Sequence, residues 1–559
     1  MQVKAKTSDY ESEKVGRARR KYKRRECHHD PWAKEFAQIL MGAYYWLVEP
    51  TSIKSELGNG LAVFTVLYKA VELLRIDSYA ALVTLPRVLQ GLLYAVSDLY
   101  LYKLSSKLSS PLVGQWTLLC SCLSWFTFYC ATRTLTNTAE TSLVVIGLYY
   151  YPWTKSAKLS FENWKFLWIA AISVIIRPTA AIIWIPLCVG HVFSARRRMW
   201  NNFILYTFTT FLFGMISLRI DKAFYGEWTL VPLNFFTFNI SKKMSHIYGT
   251  HPWHWYFTQG LPFVLSTHSI LLLLGWKKCK NRSLQLLLVY SVLIYSALAH
   301  KEFRFVLPVL PLCMHVCGYY ITVLHQDRVT SDSQGKEVSQ SISDEDLKED
   351  EKVGADRKDA DSGLTASDTA DSFSETEIIE GVRSRLSSKQ RQSRHLFPYL
   401  TPQRALILLL LGNIPMMLYF SLLHQRGAVD VMKFLNTESR TNRNMSVLFL
   451  MPCHSTPYYS HIHSGVAMRF LTCEPNLNNT EGYTDEAEAF YNEPIKWLKN
   501  EVVRAPSRRV YSHVVMFDSL EQVVDRFLNK GKYRSCSKHF YSHFPGDKRK
   551  SKHIKVFCR

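Results

Sequence analysis

Acidic residues are in short supply: 46 Asp and Glu stand against 68 Lys and Arg in 559 residues, a net charge of +22. So basic a balance admits a nucleic-acid partner, yet no nucleic-acid module occurs, and the basic residues sit in short clusters between apolar runs. Such clusters mark the cytosolic flanks of membrane segments, so no nucleic acid is expected as a partner and membrane lipids are. No Cys-x-x-Cys pair exists, which argues against a zinc ribbon. No cleavable signal peptide is recognisable either. Cys120, Cys122, Cys130, Cys188, Cys313 and Cys317 fall singly in apolar segments, where a thiol packs as a small hydrophobe.

Long apolar runs are what the chain does have. Hydrophobic residues make up 47% of it and aromatics 13%, while mean hydropathy stays near zero because polar stretches offset the runs. Residues 1–30 form a basic cytosolic N-terminus carrying Arg17–Arg25. Residues 31–325 read as a multi-span membrane core. Within it, Phe36–Val48 is short for a span and Leu61–Leu74 suits an amphipathic surface helix. Spans are expected near Leu82–Tyr102, Leu112–Cys130, Ser142–Tyr151, Phe203–Leu218, Pro262–Gly275, Leu284–Ala299 and Val306–Leu324, because a bilayer core of about 30 Å needs long apolar helices. Two half-length runs in Lys165–Phe193 are broken by Arg177-Pro178-Thr179, the pattern of a hairpin tip facing a polar cavity. Residues 326–394 are an acidic, Ser-rich cytosolic loop expected to be disordered. Residues 395–423 hold the last span, Ala405–Leu423.

Residues 424–559 read as a small α/β domain, with strands at Val447–Met451, Val510–Phe517 and Ile554–Phe557 and helices at Thr484–Asn500 and Leu520–Leu528. The signs of the flanks fix sides. With Arg196–Arg198 and Lys277–Lys280 in the cytosol, the Asp221–Leu261 loop and the C-terminal domain are luminal. The sequons at Asn239, Asn444 and Asn478 fall on that side, as do Cys453, Cys473, Cys536 and Cys558, which can form up to two disulfides in any of three pairings. His461 and His463 have a spacing that suits a metal on a strand, but no third ligand is in register and no metal or cofactor is expected.

The chemistry gathers where polar residues interrupt apolar runs. His300-Lys301-Glu302-Phe303-Arg304-Phe305 reads as a turn between two spans at a membrane face. It is either an interfacial anchor or a pocket for an anionic ligand. His251, Trp253, His254 and Trp255 either stack on a sugar or bind its phosphate, or belong to an aromatic interface belt. Arg133 and Glu140 flank a luminal turn and belong either to the site or, equally, to a structural ion pair.

His300–Phe305 followed by Pro308–Cys313 resembles the His-Lys-Glu-x-Arg-Phe signature of the dolichyl-phosphate-mannose-dependent mannosyltransferases. The stretches Thr132–Thr141, Ile175–Pro178, Tyr248–Gly260, His424–Gly427 and Pro452–His461 extend the resemblance, in order, toward the members that build the GPI anchor. It implies an all-α polytopic fold of the glycosyltransferase C type, with about nine to eleven membrane helices. It also implies an endoplasmic-reticulum location, dolichyl-phosphate-mannose as donor and a GPI glycolipid precursor as acceptor of an α-1,2-linked mannose. His300, Lys301, Glu302, Arg304 and Arg177 become candidate substrate-binding residues beside the four aromatic-loop residues. The family's Pro-Asp-Glu segment, whose aspartate the resemblance would make the catalytic base, has no counterpart here. Glu49 and Glu56 are the nearest acids of the first luminal loop, and the base is left unassigned.

The topology predicts a simple outcome. Protease added to sealed microsomes should remove residues 326–394 and spare 424–559; digestion of the C-terminal domain in intact vesicles would overturn the assignment of sides.

Overall fold

The computed structural model describes residues 64–153, 162–194, 199–237, 249–330 and 400–559, with short gaps at 65, 77, 227, 443, 475, 477–481 and 504–509. The basic N-terminus, Phe36–Val48, Glu49, Glu56, Arg196–Arg198, Asn239, Asn478 and the acidic loop from 331 onward lie outside the described residues. The chain divides into two compact units, one centred on residues 85–421 and one on Leu422–Arg559 together with Leu67–Thr84.

The first unit is helical. Among the described residues, four helices are long and apolar enough to cross a membrane: Tyr79–Leu108, Trp200–Ala223, Phe303–Thr330 and the run beginning at Pro402. A fifth span arises if the bent pair Tyr256–Leu265 and His268–Trp276 counts as one. Pro111–Leu123, Trp164–Ile176, Pro178–Phe193 and Arg282–Ala297 are shorter apolar helices. The most apolar window of Phe303–Thr330 is 89% buried, against 11–22% for the other three long helices, so it is the central post around which the rest pack. The others turn large apolar side chains outward, Leu92, Phe208 and Leu411 among them, as a lipid-facing surface does.

Two expected spans are broken, and the breaks have a shared repair. The Leu112–Cys130 run stops at Ser124, between helices Pro111–Leu123 and Trp125–Ala131. Pro262–Gly275 bends by 117° at Ser266, whose φ is +49°. Breaks free backbone groups that nothing in a hydrocarbon layer can satisfy, so side chains must do it. Asn413 of the last span does: its Oδ1 accepts from the Trp125 backbone N–H at 3.4 Å and its Nδ2 donates to Thr267 Oγ1 at 2.9 Å. Ser266 Oγ donates to the Gly412 carbonyl at 3.1 Å.

The second unit is built on a five-stranded sheet of order β2-β1-β3-β5-β4, where β1 is Ser446–Leu450, β2 Ala467–Phe470, β3 His513–Phe517, β4 Arg534–Phe540 and β5 His553–Cys558. β1 runs parallel to β2 and β3; β5 runs antiparallel to β3 and β4. Helix Gly427–Thr441 covers one face, where Val431 and Leu435 meet Val447, Phe449 and Val556. Helices Glu486–Asn492 and Glu521–Lys530 cover the other, where Phe490 and Val524 meet Leu448, Val514 and Met516. With both faces covered, β1 and β3 are apolar at consecutive positions rather than alternate ones. Cys453 bonds to Cys473 and Cys536 to Cys558, which selects one of the three pairings. The Thr484–Asn500 helix is shorter than expected: it stops at Asn492, and Pro494 starts a new turn.

Asn413→Leu should keep the size of the side chain and remove both hydrogen bonds. It is expected to cost about 1–3 kcal/mol, because the buried Trp125 N–H loses its acceptor and Thr267 Oγ1 loses its donor. A lowered Tm of the purified chain in detergent checks this; an unchanged Tm would mean the breaks are satisfied otherwise.

Candidate active site

The entry to the central post is the His300–Phe305 turn. His300 presents both ring nitrogens to oxygen atoms, Nδ1 to the Gly249 carbonyl at 3.1 Å and Nε2 to Glu302 Oε1 at 3.0 Å. Arg304 forms a two-point pair with the same carboxylate, Nη2 donating to Oε1 at 2.9 Å and Nε meeting Oε2. Burial alone would raise the Glu302 carboxyl, but the His300 hydrogen bond and the Arg304 charge outweigh it and bring it down to about 2. Because that folded value lies below the usual Glu value near 4.3, the pairing contributes stability above about pH 4–5 and loses it as pH falls toward 2.

Lys301 points the other way. It is buried, and its Nζ donates to the carbonyls of His251 at 2.9 Å and Leu298 at 2.5 Å. Burial lowers its pKa. The lysine thus ties the aromatic loop to the end of helix Arg282–Ala297. The tie is reinforced by the His251 N–H donating to the Ala299 carbonyl at 3.1 Å. The Tyr256 hydroxyl donates to the Glu302 carbonyl at 3.0 Å and accepts from the Glu302 N–H at 3.2 Å. Within the loop, Trp255 is buried, stacked on His251 at 4.7 Å and against Phe303 at 4.9 Å, which makes it a packing residue. Trp253 and His254 are exposed.

Arg177 is buried beneath the turn. Its Nε lies 3.0 Å from Glu140 Oε2, and its Nη1 donates to Thr136 Oγ1 at 3.0 Å. Thr179 Oγ1 donates to Glu140 Oε1 at 3.1 Å. The guanidinium sits 5.5 Å from the Phe305 ring, so three motifs close on one another: Thr132–Thr141, Arg177–Thr179 and the turn. The expected pairing of Arg133 with Glu140 is therefore corrected. Glu140, a turn into helix Thr136–Tyr150, faces Arg177, while Arg133 lies over the Tyr129 ring at 3.8 Å and donates to the Tyr129 carbonyl at 3.1 Å. The sequence offered Arg133 only as a neighbour of Glu140, whereas the contacts it makes are local, to Tyr129 four residues back.

His461 and His463 both contact Ser460: His461 Nδ1 meets Ser460 Oγ at 3.0 Å and His463 Nε2 the Ser460 carbonyl at 2.9 Å. The nearby grouping of Cys453, His454 and Cys473 has its two sulfurs joined in the disulfide, so neither is a thiolate ligand. Asn444 is exposed in the turn before β1.

A model of the Alg9-like mannosyltransferase family matches residues 51–463. A mouse protein named GPI α-1,2-mannosyltransferase 3 is 37% identical over 505 residues, covering 89% of this chain and 78% of the relative. A Drosophila melanogaster protein named GPI mannosyltransferase 3 is 34% identical over 477 residues, covering 83% and 70%. Among solved structures, ArnT from Cupriavidus metallidurans bound to undecaprenyl phosphate aligns over 94% of this chain and 96% of that one, at 12% identity and a TM-score of 0.49. A likeness that loose carries no argument about this chain.

The two arginine environments predict different costs. Glu140→Ala leaves Arg177 buried without its carboxylate and should cost about 3–5 kcal/mol. Arg133→Ala removes a ring contact and one hydrogen bond and should cost about 1 kcal/mol. Thermal unfolding in detergent ranks them, and equal losses would restore the Arg133–Glu140 pairing.

Proposed function

Since the chain belongs to the Alg9-like mannosyltransferase family, we propose that it adds the third, α-1,2-linked mannose to the GPI-anchor precursor, taking the sugar from dolichyl-phosphate-mannose. The chain is a membrane glycosyltransferase of GPI-anchor biosynthesis. The endoplasmic-reticulum membrane is the location we assign, with a glycosyltransferase C core and its α/β unit in the lumen. The two disulfides and the exposed sequon at Asn444 support the luminal side.

The reading is carried by the excess of positive charge at the His300–Phe305 turn, where one carboxylate is shared by His300 and Arg304. In the transfer, the acceptor hydroxyl oxygen bonds to C1 of mannose as the C1–O bond to phosphate breaks. The electron pair leaves with dolichyl phosphate and the hydroxyl proton passes to a base. Charge therefore grows on the phosphate, and a cation aimed at it stabilises the transition state more than the ground state. Arg304 is the cation we assign to it, because its side chain is 38% exposed while that of Arg177 is 7% exposed. Lys301 and Arg177 act by holding the turn, and His251, Trp253 and His254 form the exposed aromatic rim for the sugar. Trp255 supports that rim from below.

Neither acid in this site suits the base. Glu140 is committed to Arg177, and Glu302, held at about 2, is a weak proton acceptor. The family resemblance would put the base in the first luminal loop, where this chain has Glu49 and Glu56 but no Pro-Asp-Glu segment, so no residue is assigned to it.

Mannose transfer to a two-mannose GPI precursor tests the reading. At near-native expression the 559-residue chain is expected to transfer roughly 10²–10⁴ more slowly than a version whose residues 1–60 are replaced by a span and loop with Pro-Asp-Glu. In that replaced background, Arg304→Ala should lose about 2–4 kcal/mol of transition-state stabilisation. No transfer from the replaced chain would defeat the assignment of substrate; full transfer by both would hand the base to an acid already present.

A further inference from the structure

The last apolar helix keeps large side chains outward to its end, with Leu418, Leu422 and Leu423 all about half exposed. Polarity begins abruptly at His424-Gln425-Arg426-Gly427, so this is where the chain leaves the apolar layer. These four residues are locked onto the β4–β5 hairpin. The Gln425 N–H donates to the Tyr541 carbonyl at 2.7 Å, and His424 Nδ1 meets Ser542 Oγ at 3.1 Å. Gly427 has no room for a side chain: a Cβ there would lie 2.4 Å from the Phe540 carbonyl oxygen. The hairpin loop, Tyr541 to Lys552, is thus fixed beside the point of exit.

That loop is basic and internally built. Lys548, Arg549, Lys550 and Lys552 stand against one acid, Asp547, which Arg549 already pairs at 2.8 Å. Tyr541 anchors the loop's start against Phe517 at 5.0 Å, and its N–H closes the loop by donating to the Lys552 carbonyl at 2.7 Å. Turns at Phe544–Gly546 and Asp547–Lys550 shape the tip. Lys548 and Lys552 are exposed, and among the described residues neither is in an ion pair. Phe544 is 74% exposed at the same tip. A large apolar ring kept near water beside unneutralised lysines is the composition that settles at a lipid headgroup layer.

We propose that the Tyr541–Lys552 loop docks on the anionic phospholipid headgroups of the bilayer in which the chain is inserted. Lys548 and Lys552 meet lipid phosphates and Phe544 enters the headgroup boundary. The docking is independent of the sugar chemistry, and it restrains the C-terminal unit through the His424–Gly427 lock.

A fluorophore placed on the loop reads this directly. Gly546 has open space around the site of a Cβ, so Gly546→Cys accepts a label, with the unsubstituted chain supplying the background. The full chain is placed in nanodiscs carrying spin-labelled lipid, either all phosphatidylcholine or with phosphatidylinositol added. The expected result is stronger quenching in the anionic discs, reversed by salt near 0.5 M, where screening shortens to a few ångström. Lys548→Glu with Lys552→Glu should lower the docked-to-undocked ratio by roughly fivefold or more for each lysine lost. Equal quenching in neutral and anionic discs, or quenching indifferent to salt, would overturn the proposal, and neither arm needs a charge variant to fold.

Discussion

A guanidinium and a carboxylate taken out of water each lose several kcal/mol of hydration, which only close pairing and further hydrogen bonds can offset. Arg177 and Glu140 meet that condition at 3.0 Å, with Thr136 and Thr179 completing the contacts. Because neither charge is tolerable alone, helix Thr136–Tyr150 and the Arg177–Thr179 tip must stay in one register. Phe305 under the guanidinium extends that requirement to the turn at the head of the central post. The pair therefore positions Arg304 and Glu302 without facing the open side of the site.

The same logic sorts the site's cations, and it explains what the sequence could and could not reveal. Arg177 in mid-run beside Pro178 was legible as costly in lipid, and so was the density of charge between two apolar runs at His300–Phe305. Which cation faces outward was not. Lys301 and Arg304 are three residues apart in a turn, and nothing local distinguishes them. The difference lies in the carbonyls of His251 and Leu298 that claim the lysine, one of them 50 residues away. Arg133 was likewise legible as a charge near Glu140, but its side chain folds back onto Tyr129 four residues earlier and leaves Glu140 to Arg177.

In the C-terminal unit, legibility follows burial. β1 and β3 are covered on both faces, so their apolar runs stood out. β4, Arg534-Ser535-Cys536-Ser537-Lys538-His539-Phe540, is an edge strand with exposed, charged positions and a bulge between Ser535 and Ser537, and no apolar pattern announces it. β2 has four residues and lies at the opposite edge. The disulfide pairing depended on those same edges, since Cys536 lies in β4 and only the β4–β5 register brings it to Cys558.

Asn413 shows how far a single polar side chain can reach in an apolar environment. Helices broken at Ser124 and at Ser266 would each leave backbone or hydroxyl groups unsatisfied, at a cost of several kcal/mol per group in hydrocarbon. One carboxamide offers both an acceptor and a donor, so it can serve both breaks from a third helix. The helix break at Ser124 sets where Trp125 sits, and Trp125 packs edge-on against Phe263 at 5.3 Å. Phe263 in turn meets Phe303, the first residue of the central post, at 4.9 Å. Breaks that weaken spans as spans thus become the means by which the turn is braced at Phe303, as Arg177 braces it at Phe305. The irregular backbone is kept because two polar devices, one charged and one neutral, hold the same turn at two points.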